Sequence, residues 1–105
     1  MSSSTNGQPR PLLVNAARAL IAAAQSERAL CPADAPERQF YLGVEAAAME
    51  VLHPELKMAR SADWLARQVL AYREGYLRTV AMITGAQRDP ERAVVFPLPD
   101  ASLAI

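Results

Sequence analysis

The sequence predicts an all-α protein: a small three-helix bundle with one short extra helical turn and an extended C-terminal arm, assembled as a dimer. Roughly one in five of the 105 residues is Ala, the best helix former, and only four are Gly. In three long segments the apolar residues recur with the period of about 3.6 residues that is typical of amphipathic helices. Prolines separate these segments, and proline terminates or opens helices according to its position.

The first helix is predicted from Pro11 to about Leu30, at the start of a helical domain that spans residues 11–86. The preceding residues, 1–10, are small and polar, and we expect them to form a disordered tail. Proline suits the first position of a helix, and Pro32 ends this one because the residue before a proline is disfavoured in helical geometry. The apolar face comprises Leu13, Ala16, Ala17, Leu20 and Ala24.

The second helix is predicted from about Ala35 to Leu52, with Asp34 and Glu37 at the spacing of a capping box. One apolar strip on this helix comprises Phe40, Tyr41, Val44, Ala47, Ala48, Val51 and Leu52. Leu42, Ala46, Met49 and His53 lie on the other side. Two apolar strips indicate that the helix is covered twice, once by its own chain and once by another copy. Leu42 and Met49 are therefore predicted interface residues.

After a short turn of helix at residues 54–59, the third long helix is predicted from about Ala62 to Thr84. Ser61 is the expected N-cap, and Gly85 occupies the position of a left-handed C-terminal cap. Its apolar stripe is Leu65, Val69, Tyr72, Tyr76, Val80 and Ile83, and a wider arc adds Ala66, Leu70 and Leu77. Arg60, Arg67, Glu74 and Arg78 lie opposite. This side is interpreted as solvated, because Asp63 and Glu74 precede Arg67 and Arg78 by four residues and favour helix-surface ion pairs.

The last segment, residues 87–105, is predicted to be an extended arm. Pro97 and Pro99 exclude a helix there. The arm is too apolar for a free end, so we expect it either to pack back on the bundle or to reach another subunit. Its predicted interface residues are Val95, Phe96 and Leu98.

The overall composition excludes several classes of function. Eleven basic residues balance eleven acidic ones, whereas nucleic-acid binders usually carry a basic surplus. Residues 1–10 lack the apolar core of a signal peptide, and no apolar run reaches the roughly 20 residues that span a membrane. Cys31 is the only cysteine, so no disulfide forms within the chain. We therefore expect a cytoplasmic protein without nucleic-acid or membrane partners, and its Ala- and Arg-rich composition suggests a bacterial source.

Glu50 and His53 form the best candidate metal-binding fragment. Their Glu-x-x-His spacing places both side chains on one helix face, as in ferritin-like di-iron bundles. The favoured alternative is that His53 simply ends the helix before Pro54, where its cation suits the carbonyl end. No cofactor is predicted.

Arg73 lies within the apolar arc of the third helix, where a cation needs a partner. One hypothesis is an ion pair with an acidic residue, of which Glu45 is the best placed. The other is that Arg73 anchors an anionic ligand in a cleft lined by Tyr72 and Tyr76, which Trp64 also lines. The aromatic residues are otherwise core residues, as is usual at helical spacing.

The most plausible function is a non-catalytic homodimeric interaction or scaffold module, with no catalytic residue. A separate protein partner is also compatible with this function. The alternative is a small-molecule or metal-binding helical protein, or an enzyme, with a cleft between helices two and three. A transcriptional regulator ranks below both, because no strongly basic recognition helix is present. The apolar surface favours the dimer, since three short helices offer more of it than one subunit can bury.

Overall fold

The computed structural model describes residues 11–89, 91 and 94–97, and within these residues the chain is all-α with no strand. Three long helices form, α1 (Pro11–Leu30), α2 (Pro36–Leu52) and α4 (Leu70–Arg88), together with the short α3 (Glu55–Ala59). A single 3-10 turn, Leu65–Arg67, precedes α4. The all-α prediction is confirmed, as are the helices that begin at Pro11 and end at Leu52. The predicted tail at residues 1–10 lies outside the described residues.

The central helix of the fold is α2, which packs against α1 on one side and α4 on the other. It runs antiparallel to α1, because Ala24 packs near Phe40 and Val44 while Ala17 and Leu20 pack near Ala48. The helices α1 and α4 approach each other chiefly where Leu13 meets Ile83 and Ala86. The result is a layer of three helices with α2 in the middle, and its buried residues form three clusters.

Two glycines allow α2 and α4 to cross with their backbones in contact. A Cβ atom added at Gly43 would lie 2.1 Å from the carbonyl oxygen of Tyr72, and one added at Gly75 would lie 2.0 Å from that of Phe40. No side chain fits at either position. The fully buried Thr79 lies one turn beyond Gly75 and donates its hydroxyl proton to the Gly75 carbonyl at 2.8 Å. The crossing fixes the relative position of the two helices that carry the site described below.

The predicted helix from Ala62 to Thr84 is wrong at both ends, because α4 begins at Leu70 and ends at Arg88. The reason for the late start is Trp64, whose ring centroid lies 5.3 Å from that of Tyr76. In one continuous helix these residues would be separated by about 18 Å along the axis, at the standard rise per residue. The chain therefore turns at residues 61–69, and the contacts of Trp64 override the local helical pattern.

The predicted helix caps are also corrected. The N-cap of α2 is Ala35 and has no side-chain hydrogen bond, since Pro36 takes the first helical position and Asp34 stands outside the helix. Gly85 does not end α4; its carbonyl accepts the backbone N–H of Asp89 at 2.9 Å. The helix extends past Gly85 because Ala86 is buried against Leu13.

The described part of the C-terminal arm, Val94–Pro97, has no regular secondary structure and packs on its own chain. The ring of Phe96 stacks on Tyr41 with 5.9 Å between centroids, and Val94 packs beside Leu13 and Ile83. A shallow apolar groove of about 260 Å³ remains beside it, lined by Ala16, Ala19, Leu20, Ala23, Val94 and Phe96. Within the described residues, no helix combines the length and the apolar character needed to cross a membrane.

Candidate functional site

The guanidinium group of Arg60 lies against Trp64 and Glu50, and Tyr72 and Tyr76 pack against the Trp64 ring; we call Glu50, Trp64, Tyr72 and Tyr76 the aromatic cage. The Cζ atom of Arg60 lies 3.9 Å from the centre of the Trp64 ring, within the range of a cation–π interaction. Arg60 also donates a hydrogen bond to Oε2 of Glu50. The hydroxyl of Tyr76 donates to the other carboxylate oxygen at 2.7 Å. Tyr72 completes the cage, with its ring edge-on to Trp64 at 5.8 Å.

The members of the cage and Arg60 come from elements of different rigidity. Glu50 lies on α2, and Tyr72 and Tyr76 lie on α4. These helices are held together by the glycine crossing. Arg60 and Trp64 instead lie on the connection between α3 and α4, where neither α3 nor the 3-10 turn has a buried residue. The cage thus connects the closely packed helices α2 and α4 to the surface segment between α3 and α4.

Burial and charge act together on the phenol of Tyr76. Burial, as the largest cause, and the hydrogen bond to the Glu50 carboxylate together raise the pKa of Tyr76 from 10.0 to about 12, although the Arg60 cation opposes the shift. Burial also raises the pKa of Tyr72, while the nearby Arg60 cation opposes that shift. Both phenols therefore stay protonated at neutral pH, and Tyr76 acts as a hydrogen-bond donor to Glu50.

The predicted ion pair between Glu45 and Arg73 does not form. The Glu45 carboxylate accepts a hydrogen bond from Arg28 at 3.1 Å, which links the last turn of α1 to α2. The Nε atom of Arg73 is buried and has no hydrogen-bond partner among the described residues. Of the four predicted ligand residues, Tyr72 and Tyr76 come together in the cage, whereas Glu45 pairs elsewhere.

Glu50 and His53 take separate roles in the structure. Both oxygens of Glu50 already accept hydrogen bonds in the cage, while His53 is half exposed and lies 3.6 Å from the Glu55 carboxylate. The described residues bring together no group of three His, Cys, Asp or Glu side chains that would hold a metal ion. The metal hypothesis thus remains a prediction based on spacing.

A separate surface feature lies on α4, on the side turned away from α2. Leu70 and Leu77 are 58% and 51% exposed, and Val69 just before the helix is 57% exposed. Arg73 and Glu74 lie between the two leucines. We call Leu70, Arg73, Glu74 and Leu77 the outer face of α4.

The predicted interface residues occupy varied environments. Leu42 and Met49 are partly buried, and Val95 is 65% exposed. Phe96 is partly buried against its own chain, and Leu98 lies outside the described residues. The assignment of these residues to an interface stays a prediction.

The basic residues Arg60, Arg67 and Arg78 were predicted to share one solvated face, and this prediction is correct for only part of the set. Arg67 pairs with Asp63 at 3.4 Å and Arg78 with Glu74 at 3.5 Å, as the four-residue spacing predicts. The side chain of Arg60, however, is 21% exposed and lies in the cage. The signal in the sequence for this contact was that Arg60 precedes Trp64, the only tryptophan, by four residues. A planar guanidinium group so close along the chain can stack on the aromatic ring.

Comparison with protein families, characterised proteins and solved structures finds no match to this chain.

Proposed function

We propose that this chain is a non-catalytic interaction module that acts as a homodimer, and that two copies pair through the outer face of α4. The observation that supports the proposal is the exposure of Leu70 and Leu77, which lie two turns apart on this face. The burial of clustered exposed aliphatic side chains against a partner lowers the free energy, because it removes apolar surface from water. Val69 extends the same apolar area at the start of the helix.

The order of residues on this face favours a second copy as the partner. Leu70 lies three residues before Arg73, and Leu77 lies three residues after Glu74. In a symmetric antiparallel pair of α4 helices whose two-fold axis passes between Arg73 and Glu74, Leu70 of each copy meets Leu77 of the other. Arg73 of each copy likewise meets Glu74 of the other. A two-fold interface requires this self-complementarity.

Charge supports the same choice of partner. None of the ion pairs found among the described residues involves Arg73. The Glu74 carboxylate of a second copy supplies an ionic partner in addition to its own pair with Arg78. The whole chain has a formal net charge of zero, so two copies approach without net repulsion, a condition that promotes association.

The test is a charge reversal measured by light scattering and sedimentation equilibrium at micromolar concentrations. We expect a dimer for the native chain. Arg73→Glu makes all four facing charges negative and Glu74→Arg makes them all positive, so each change should weaken association by at least about tenfold, since facing like charges cost several kcal/mol. The double change Arg73→Glu/Glu74→Arg restores opposite charges at each contact and should recover the dimer.

The matched control is Arg67→Glu, which reverses a charge on an exposed side chain outside the outer face. It should leave the association constant unchanged. A native chain that remains monomeric across the micromolar range contradicts the proposal. So does a dimer that neither single reversal weakens.

A second candidate function is a small-molecule or metal-binding protein with its cleft between α2 and α4, the second and third long helices. The cage favours the small-molecule version, because Glu50, Tyr72 and Tyr76 line this junction with polar groups. Metal analysis of protein purified without a tag tests the version that uses Glu50 and His53. Bound iron, zinc or manganese near one equivalent would support it.

A further inference from the structure

We propose that the aromatic cage is a binding site for an alkylguanidinium group, such as the arginine side chain of a peptide, and that Arg60 is an internal occupant which such a ligand displaces. The proposal develops the second candidate function and is independent of pairing through the outer face of α4, since the hydrogen bonds and ring contacts of the cage do not involve that face. Its chemistry follows from what now surrounds Arg60.

The groups around Arg60 match a guanidinium better than any other biological cation. The Trp64 ring provides a flat face for a weakly hydrated planar cation. Glu50 needs N–H donors, because its side chain is only 8% exposed and Oε2 accepts from Arg60. A quaternary ammonium ion satisfies the ring but has no N–H group. A lysine-type ammonium has donors but is strongly hydrated and cannot stack.

Arg60 is attached less firmly than the helical base of the site, whereas Trp64 lies on the same connection as Arg60. Glu50, Tyr72 and Tyr76 lie on the two helices locked by the glycine crossing. Arg60 follows a five-residue helix without buried residues, and it has extended backbone geometry, with φ −84° and ψ 141°. Met58, two residues earlier, is 86% exposed. Segments of this kind open at low free-energy cost.

The exchange conserves charge in the site. One guanidinium leaves Glu50 and another takes its place, so the buried carboxylate is never left without a cation. In the native chain the ligand competes with Arg60 at the high effective concentration of a tethered group. Removal of the Arg60 side chain should therefore expose the full affinity of the site.

The test uses the full chain with Arg60→Ala and follows fluorescence, because Trp64 is the only tryptophan and reports on the cage alone. The probe is ethylguanidinium chloride in the millimolar range, with ionic strength held constant by sodium chloride. We expect saturable binding to this variant, and binding at least about tenfold weaker to the native chain. Tetramethylammonium chloride should bind to the variant at least about tenfold more weakly than ethylguanidinium, because it cannot donate to Glu50.

Arg67→Ala is the matched control, since it removes an exposed arginine from the same segment; its response should equal that of the native chain. If Arg60→Ala loses helical structure, ethylguanidinium should restore the circular dichroism signal, because a ligand that binds only the folded state stabilises it. The proposal is overturned if a folded variant shows no saturable response. It is also overturned if an unfolded variant is not restored, or if both cations act equally.

Discussion

The hydroxyl group of Tyr76 connects the two helices of the cage base. It donates to Glu50 across α2 and α4 at 2.7 Å, from a residue that is only 8% exposed. Deprotonation would place a phenolate beside a carboxylate in a site that water hardly reaches. The folded state therefore holds this proton more tightly than the unfolded chain does, and stability must depend on pH above the ordinary tyrosine range.

We predict that the native chain loses stability between about pH 10 and about pH 12, and that Tyr76→Phe loses less. The folded-state pKa is about 12 and the ordinary value is 10.0. The contribution is therefore fully present below the ordinary value and disappears as pH rises through the folded value. Its upper limit is about 3 kcal/mol, since the shift is about two pKa units and one pKa unit corresponds to about 1.4 kcal/mol. Urea denaturation at several pH values measures the difference between the two chains, and equal slopes would contradict the prediction.

Ion pairs show which contacts at the residue scale are predictable from sequence. The pairs Asp63–Arg67 and Glu74–Arg78 follow from spacing alone, although Asp63–Arg67 forms in the turn before α4. The partner of Glu45 was predicted wrongly, because contacts between helices depend on how they cross. The cage was only partly predictable for the same reason: Tyr72 and Tyr76 were recognised as ligand candidates, but the only local signal for the contact of Arg60 with Trp64 was their four-residue spacing.

At the scale of elements, the crossing of α2 and α4 depends on the absence of two side chains. Gly43 and Gly75 lie inside helices, where glycine is unfavourable relative to alanine by about 1 kcal/mol. Close packing explains their presence, since each position faces the backbone of the other helix at a distance too short for a Cβ atom. Two interior glycines in a sequence with only four were a usable signal of such a crossing.

We predict that Gly75→Ala destabilises the fold by roughly 3 kcal/mol, the scale of overpacking in a tight core. The added Cβ would lie 2.0 Å from the Phe40 carbonyl oxygen, and a backbone atom cannot move away without shifting its helix. The matched control is Gly85→Ala in the same helix, which improves helix propensity and should change stability by no more than about 1 kcal/mol. Thermal and urea denaturation compare the two variants. Equal stability of Gly75→Ala and the native chain would show that the helices do not cross here.

Helix boundaries set by proline were predictable, and those set by tertiary contacts were not. Pro11, Pro32 and Pro54 act on their immediate neighbours through ring geometry and the missing N–H group. These prolines determine both ends of α1 and the end of α2, so these boundaries were predictable from the local sequence. The start of α4 instead depends on Trp64 reaching Tyr76, and its end depends on Ala86 packing against α1. Local periodicity contains neither piece of information.

At the scale of the whole molecule, α1 and α4 lie on opposite sides of α2 and leave apolar surface between them. The arm covers part of this surface: Val94 packs near both helices, and Phe96 lies against Ala24, Tyr41 and the core around them. Val95, between these two residues, points away and is 65% exposed. This alternation of partly buried and exposed residues is typical of extended backbone that lies on a layer of helices.

We predict that Phe96→Ala lowers the free energy of unfolding by about 2 kcal/mol, below the usual cost of a fully buried phenylalanine because this one is only partly buried. The matched control Val95→Ala removes an exposed side chain and should change stability by less than about 0.5 kcal/mol. Because Phe96 stacks on Tyr41 of its own chain, the loss should be the same at every protein concentration. A loss that appears only at concentrations where the chain associates would instead place Phe96 in contact with a second subunit.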